Sequence, residues 1–169
     1  MVLTTQELVA SLQNEARILV HLIGKVEPHM IDYRPTPKQR STIELLRYLS
    51  HMGPLLLPAI KSGQFDTAAW QAARENAATK NLDQISASIA TLSDQYAQLV
   101  NGFSDADFRG EIEMFGRNQS RGAHIVGMVL GWHAAYRMQL FLYLKANGRD
   151  ELNTFNLWGG VDGTMQATS

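Results

Sequence analysis

The stretch from Ser120 to Gly148, SRGAHIVGMVLGWHAAYRMQLFLYLKANG, is the longest apolar run in the chain and constrains the fold more than any other feature. With Val126 as origin, Val129, Leu130, Leu140 and Leu144 recur at helical spacing, and His133 and Arg137 fall on the same stripe. A flanking stripe carries Ile125, Met128, Trp132, Tyr136 and Tyr143. A helix apolar over so much of its circumference must be packed on several sides, so it is central. Ser120 is placed to cap its start, and Lys145 with Gly148 suits its end. His124, His133 and Arg137 interrupt it too early for a membrane span of ~18 uncharged residues.

Three further helices are predicted around it. Thr4 and Glu7 form a capping box opening a helix with Leu8, Leu12, Ile18, Leu19 and Leu22 in period, expected to end near Val26, with His21 in its last turns. His29 falls in the loop beyond. The prolines of DYRPTPK, Asp32 to Lys38, fix an extended crossover. Ser41 and Glu44 open a second helix, expected to break or kink at Gly53-Pro54 and to leave Leu55 to Leu57 exposed. Phe65 to Lys80 reads as an excursion with a short helical piece around Trp70, capped by Asp66. Asn81 and Gln84 cap a third helix whose seam is Ile85, Ile89, Leu92, Tyr96 and Leu99, ended by Gly102. Phe103 to Gln119 reads as loop, with EIEMF at most a short extended piece. After Gly148, Phe155, Leu157, Trp158 and Val161 are expected to fold back on the bundle, and GGVDG at Gly159 to Gly163 to form a turn.

The 169 residues, 45% apolar, suit one domain covering 1–169, an all-α four-helix bundle with long crossover connections. A net charge of −1 without any Lys/Arg run gives no footprint for nucleic acid. The absence of cysteine excludes disulfides, thiolate metal ligands and a cysteine nucleophile. MVLTTQEL lacks the pattern of a signal peptide, so a cytoplasmic location, with no membrane partner, is the expectation.

Three stretches, DYRP before the second helix, RSTIELLRYLSHM within it and RMQLFLYLKANG closing the fourth, together resemble the DinB-like superfamily of bacterial four-helix bundles. In order and with the matching third helix, they span about two thirds of the chain. The resemblance implies a DinB-like bundle and a homodimer. Many such proteins hold a divalent metal through one histidine of the second helix and an H-x-x-x-H pair of the fourth. Some resemble thiol-dependent enzymes, among them bacillithiol S-transferases and mycothiol-dependent maleylpyruvate isomerases.

Laid on this sequence, the family's pattern puts its three histidine positions at Tyr48, Trp132 and Tyr136, all aromatic here. The implied metal site is therefore degenerate, and no cofactor is expected. The function that follows is small-ligand binding or interaction, centred on a candidate pocket of Tyr48, His51, Trp132, His133, Tyr136 and Arg137. The alternative is a metal-dependent (thiol) transferase or hydrolase, with a divalent metal such as Zn or Ni on a displaced site formed by His51 and His133. Arg137 opposes it, placing a cation four residues from His133.

Three residue-level expectations complete the reading. Arg137 is expected to pair with a buried carboxylate such as Glu44 instead of holding an anionic ligand. Glu44 is expected to act as a cap, although it shares a helix face with His51 as an acid and base would. The aromatic rings of Tyr48, Trp132 and Tyr136 are expected to converge with His51 and His133 beside them, packing as core more readily than walling a cleft.

Overall fold

The structure is a computed structural model that describes residues 3–163. The ends of the expected domain and tail, Met1, Val2 and residues 164–169, lie outside the described residues.

Helix α1, Thr5–Ile23, starts at the Thr4/Glu7 capping box and stops three residues before the expected Val26, where turn hydrogen bonds from Lys25 and Val26 take over. A short 3-10 turn, Pro28–Met30, and the proline segment lead to α2, Thr42–Ser62, opened by the Ser41/Glu44 box. This helix runs unbroken through Pro54 and Pro58, against the expected break. Each proline removes a helical hydrogen bond. Burial of Met52, Leu56, Leu57 and Ile60 on both sides of them keeps the chain helical. The same burial corrects the expected exposed patch at Leu55 to Leu57, since Leu56 and Leu57 are core.

The excursion is a full helix, α3, Thr67–Ala78, capped by Asp66 and packed on α2. The third long helix is divided at Thr91 into α4, Leu82–Ala90, and α5, Leu92–Asn101. The expected loop instead holds α6, Asp105–Arg109, and an antiparallel hairpin of β1, Glu111–Met114, and β2, Arg117–Ser120. Its turn places Phe115 and Gly116 at φ 51° and 75°. Ile112 and Met114 alternate inward, which is what makes EIEM a strand.

The fourth long helix begins as α7, Arg121–His124, widens into a π-helical segment over Ile125–Leu130, and continues as α8, Gly131–Ala146. The wide turn absorbs an extra residue and rotates everything upstream. Val126, the origin of the sequence stripe, is 41% exposed, while Ile125, Met128 and Val129 face the core. Gly148, at φ 94°, lies in the left-handed region expected just past the helix end.

The strong packing contacts join α1 and α2 to both the α4–α5 helix and the fourth helix. The first and second helices therefore stand at opposite corners, as do the third and fourth. The tail returns to the bundle: Leu152, Asn156 and Leu157 are buried, whereas Phe155, Trp158 and Val161 stay exposed. Asp162, in the turn predicted at Gly159 to Gly163, pairs with Lys25 at 2.7 Å, and Arg17 donates to the Gly159 carbonyl at 2.8 Å. Among the described residues, no helix is long and apolar enough to cross a membrane.

Candidate functional site

Trp132 and His133 are neighbours in sequence, yet they serve different environments because successive helix positions are rotated by about 100°. His133 faces the core and is fully buried. Its Nε2 and the Tyr96 hydroxyl of α5 form a short hydrogen bond, with the rings edge to face at 5.5 Å. Gly53 of α2 admits the pair, because a Cβ there would stand 2.1 Å from the Tyr96 hydroxyl. Burial, reinforced by Arg137, pushes the His133 imidazole down to about 4, and burial raises the Tyr96 phenol.

One turn on, the Arg137 guanidinium donates from Nε to Glu15 Oε2 at 2.7 Å and from Nη2 to Glu15 Oε1 at 3.1 Å. It also donates to the Leu157 carbonyl and lies 4.8 Å from the centre of the Trp158 ring. The buried partner is thus Glu15 and not the expected Glu44. Glu44 is half exposed at the bundle end, bound to the Ser41 amide at 2.8 Å and to Arg34 at 3.2 Å. The Ser41 amide, and then Arg34, holds its carboxyl below the usual carboxylate range.

Trp132 points the other way, into a cleft of about 650 Å³ between α2, α3 and α8. Tyr48 and His51 line it from α2 and Trp70 from α3. The rings meet mostly edge to face: Tyr48 with Trp70 at 6.1 Å, His51 with Trp70 at 5.4 Å, and Phe65 with Phe115 of the hairpin tip at 5.4 Å. Tyr136 is packed against Tyr48 at 5.2 Å. Tyr48 meets Tyr136; Tyr48 and Trp132 wall an open cleft where plain core was anticipated, and His133 is turned to Tyr96 instead of standing beside them.

His51 is the unsatisfied member. Both ring nitrogens are shielded from solvent and neither makes a well-formed hydrogen bond, the Arg47 carbonyl one turn back giving only a weak contact. Burial first, then the cations Arg40 and Lys80, holds its pKa below the ordinary histidine value, so the ring is neutral at neutral pH. Burial chiefly, with Tyr136 beside it, raises the Tyr48 phenol, which stays protonated.

His51 and His133 are not brought together. His51 lies about 200° around α2 from Gly53, the residue that faces Tyr96, the partner of His133. Among the described residues, no group of three or more His, Asp or Glu side chains is arranged to hold an ion. Sequence reasoning missed Arg40, Arg47, Phe65, Trp70, Arg74 and Phe115 of the cleft. The signal for α3 was present: Trp70, Arg74 and Ala77, spaced by four and three behind an Asp66 cap, lie on one helical face.

The geometry defines an all-α, four-helix fold of the DinB-like type with an aromatic cleft on the face between its second and fourth helices. The chain is similar to a DinB-like protein of Bacillus subtilis, YjoA, with a TM-score of 0.69 over 88% of this chain and 96% of that one, at 17% identity. That likeness establishes the fold. No protein-family model matches the sequence, and no curated protein sequence matches it.

Proposed function

We propose that the protein binds a small organic molecule in the cleft between Tyr48, Trp70 and Trp132, without a metal ion of its own. One observation carries the reading: both ring nitrogens of His51 are shielded from solvent without a well-formed hydrogen bond, in a cleft where aromatic rings stand beside Arg40, Arg47 and Arg74. A buried polar group left unpaired costs about 1–3 kcal/mol, and a ligand supplying the missing partner recovers it. A mostly apolar concavity with a few polar groups is the usual form of a small-molecule site. Phe115 adds to it, a 61% exposed ring held at positive φ on the cleft lining.

The metal-free part rests on the residues present. Tyr48, Trp132 and Tyr136 stand where the DinB-like resemblance puts its histidines, and His133 is committed to Tyr96. The reading includes a cytoplasmic homodimer; light scattering giving a monomer mass at micromolar concentration counts against that part. Protein purified without an affinity tag and dialysed against chelator should bind a neutral flat probe, 2-naphthylmethanol, saturably, with quenching of tryptophan fluorescence. Added Zn²⁺ should leave the affinity unchanged. Binding that appears only after metal is restored, or elemental analysis near one metal per chain, overturns the proposal.

A further inference from the structure

The lining of the cleft is charged in one direction. Arg40, Arg47 and Arg74 face a single acid, Glu44, which is already taken by the Ser41 amide and Arg34. Arg47 is partly spent, donating from Nε and Nη2 to the Lys80 carbonyl at 3.1 and 2.6 Å and so tying α2 to the start of α4. Arg40 and Arg74 are paired with no carboxylate among the described residues. The Arg40 guanidinium lies 4.2 Å from the centre of the Tyr48 ring, a stacking contact that fixes its plane and leaves its N–H edges free.

From this arrangement we infer that the cleft selects an organic anion with a flat apolar body: the anionic group is held by Arg40 and Arg74, and the body lies among Tyr48, Trp70 and Trp132. The inference rests on the cleft being a ligand site and adds the class of ligand. A guanidinium fork matches a carboxylate with two parallel N–H donors, and the low polarity of the ring walls strengthens that attraction. Trp70 meets Tyr48 and His51 edge to face, so these rings do not close on one another as a parallel stack. Neutral His51 adds a donor and an acceptor without adding charge.

The test compares three probes by calorimetry: 2-naphthoate, 2-naphthylmethanol with the same body and no charge, and acetate with the charge and no body. Wild type should bind 2-naphthoate roughly tenfold or more tightly than the alcohol, since one charge-assisted contact is of that order, and acetate should not saturate. The double variant Arg40→Gln/Arg74→Gln, altering two exposed side chains, should bind naphthoate no more tightly than it binds the alcohol. Equal affinities in wild type, or a preference for naphthoate that survives in the double variant, overturn the anion inference while the cleft itself stands. If neither naphthyl probe binds, the ligand-site reading fails and the inference falls with it.

Discussion

The two faces of the fourth helix solve the same problem in opposite ways. On one, His133 and Arg137 are buried with every charge and ring answered: Tyr96 for the imidazole, Glu15 and the Leu157 carbonyl for the guanidinium. On the other, Trp132 joins Tyr48 and Trp70 around His51, whose nitrogens have no well-formed bond. A buried polar group satisfied from within is part of the architecture. One left open in a concave wall is available to something else. The lesson is that burial alone does not mark a functional histidine: the more deeply buried of the two is the structural one.

The comparison is broken most severely at the sealed face. Glu15→Ala strands the Arg137 charge and should cost about 3–5 kcal/mol in chemical denaturation, whereas the apolar double variant Glu15→Met/Arg137→Leu should recover most of that loss. A single variant within ~1 kcal/mol of wild type would show that the pair does not hold the tail and bundle together. Next, Tyr96→Phe leaves the His133 nitrogen without its partner, and Gly53→Ala drives a methyl into the Tyr96 hydroxyl; each should cost about 1–3 kcal/mol.

The pH response sharpens the contrast without a cavity. His133 is held neutral down to about 4 in the fold, against 6.5 in the unfolded chain. Between those values the unfolded state binds more protons, so its contribution to stability is complete above pH 6.5 and is lost as pH falls toward 4. His133→Gln, which cannot titrate, should flatten the stability profile in that window, by up to ~1.4 kcal/mol per pH unit. Identical profiles would contradict the assignment.

The smallest effects belong to the open face. Trp132→Ala should cost about 1 kcal/mol in thermal unfolding, well below the ~3–5 kcal/mol of an aromatic deleted from packed core. His51→Leu should be no less stable than wild type, and by about 1 kcal/mol more stable, since it removes buried nitrogens that lack well-formed partners. Both should weaken binding of 2-naphthylmethanol. A full core-sized loss for Trp132→Ala would mean that the cleft is closed and the ring is packing.

The sequence carried the frame of the bundle because capping boxes and helical periods are local signals: Thr4/Glu7, Ser41/Glu44 and Asn81/Gln84 all open helices where expected. Three features were set by long-range packing and were not legible. The continuity of α2 through Pro54 depends on burial, the inward turn of Ile125 and Met128 depends on the π-helical widening, and the partner of Arg137 lies 122 residues away in α1. For the candidate site, the family resemblance pointed to Tyr48, Trp132 and Tyr136 and helix spacing added His51; Tyr48, His51 and Trp132 line the cleft, while Tyr136 packs against Tyr48. The helical stripe put His133 with the core residues Val129, Leu140 and Leu144, where it lies; its place in the candidate pocket came only from its position next to Trp132 in the sequence. Arg40 comes from a crossover and Arg74 from α3, whose capped helical face is a local signal although the helix it packs on is not.

The most direct measurement is a histidine-selective NMR titration of the full chain with 2-naphthoate, following the imidazole signals of His51 and His133 together. The account predicts that His51 shifts saturably with the probe and that His133 is unmoved, its own titration centred at about pH 4. A His133 signal that moves in step with His51, or a His51 signal indifferent to saturating probe, would contradict the division of the fourth helix into a sealed face and an open one.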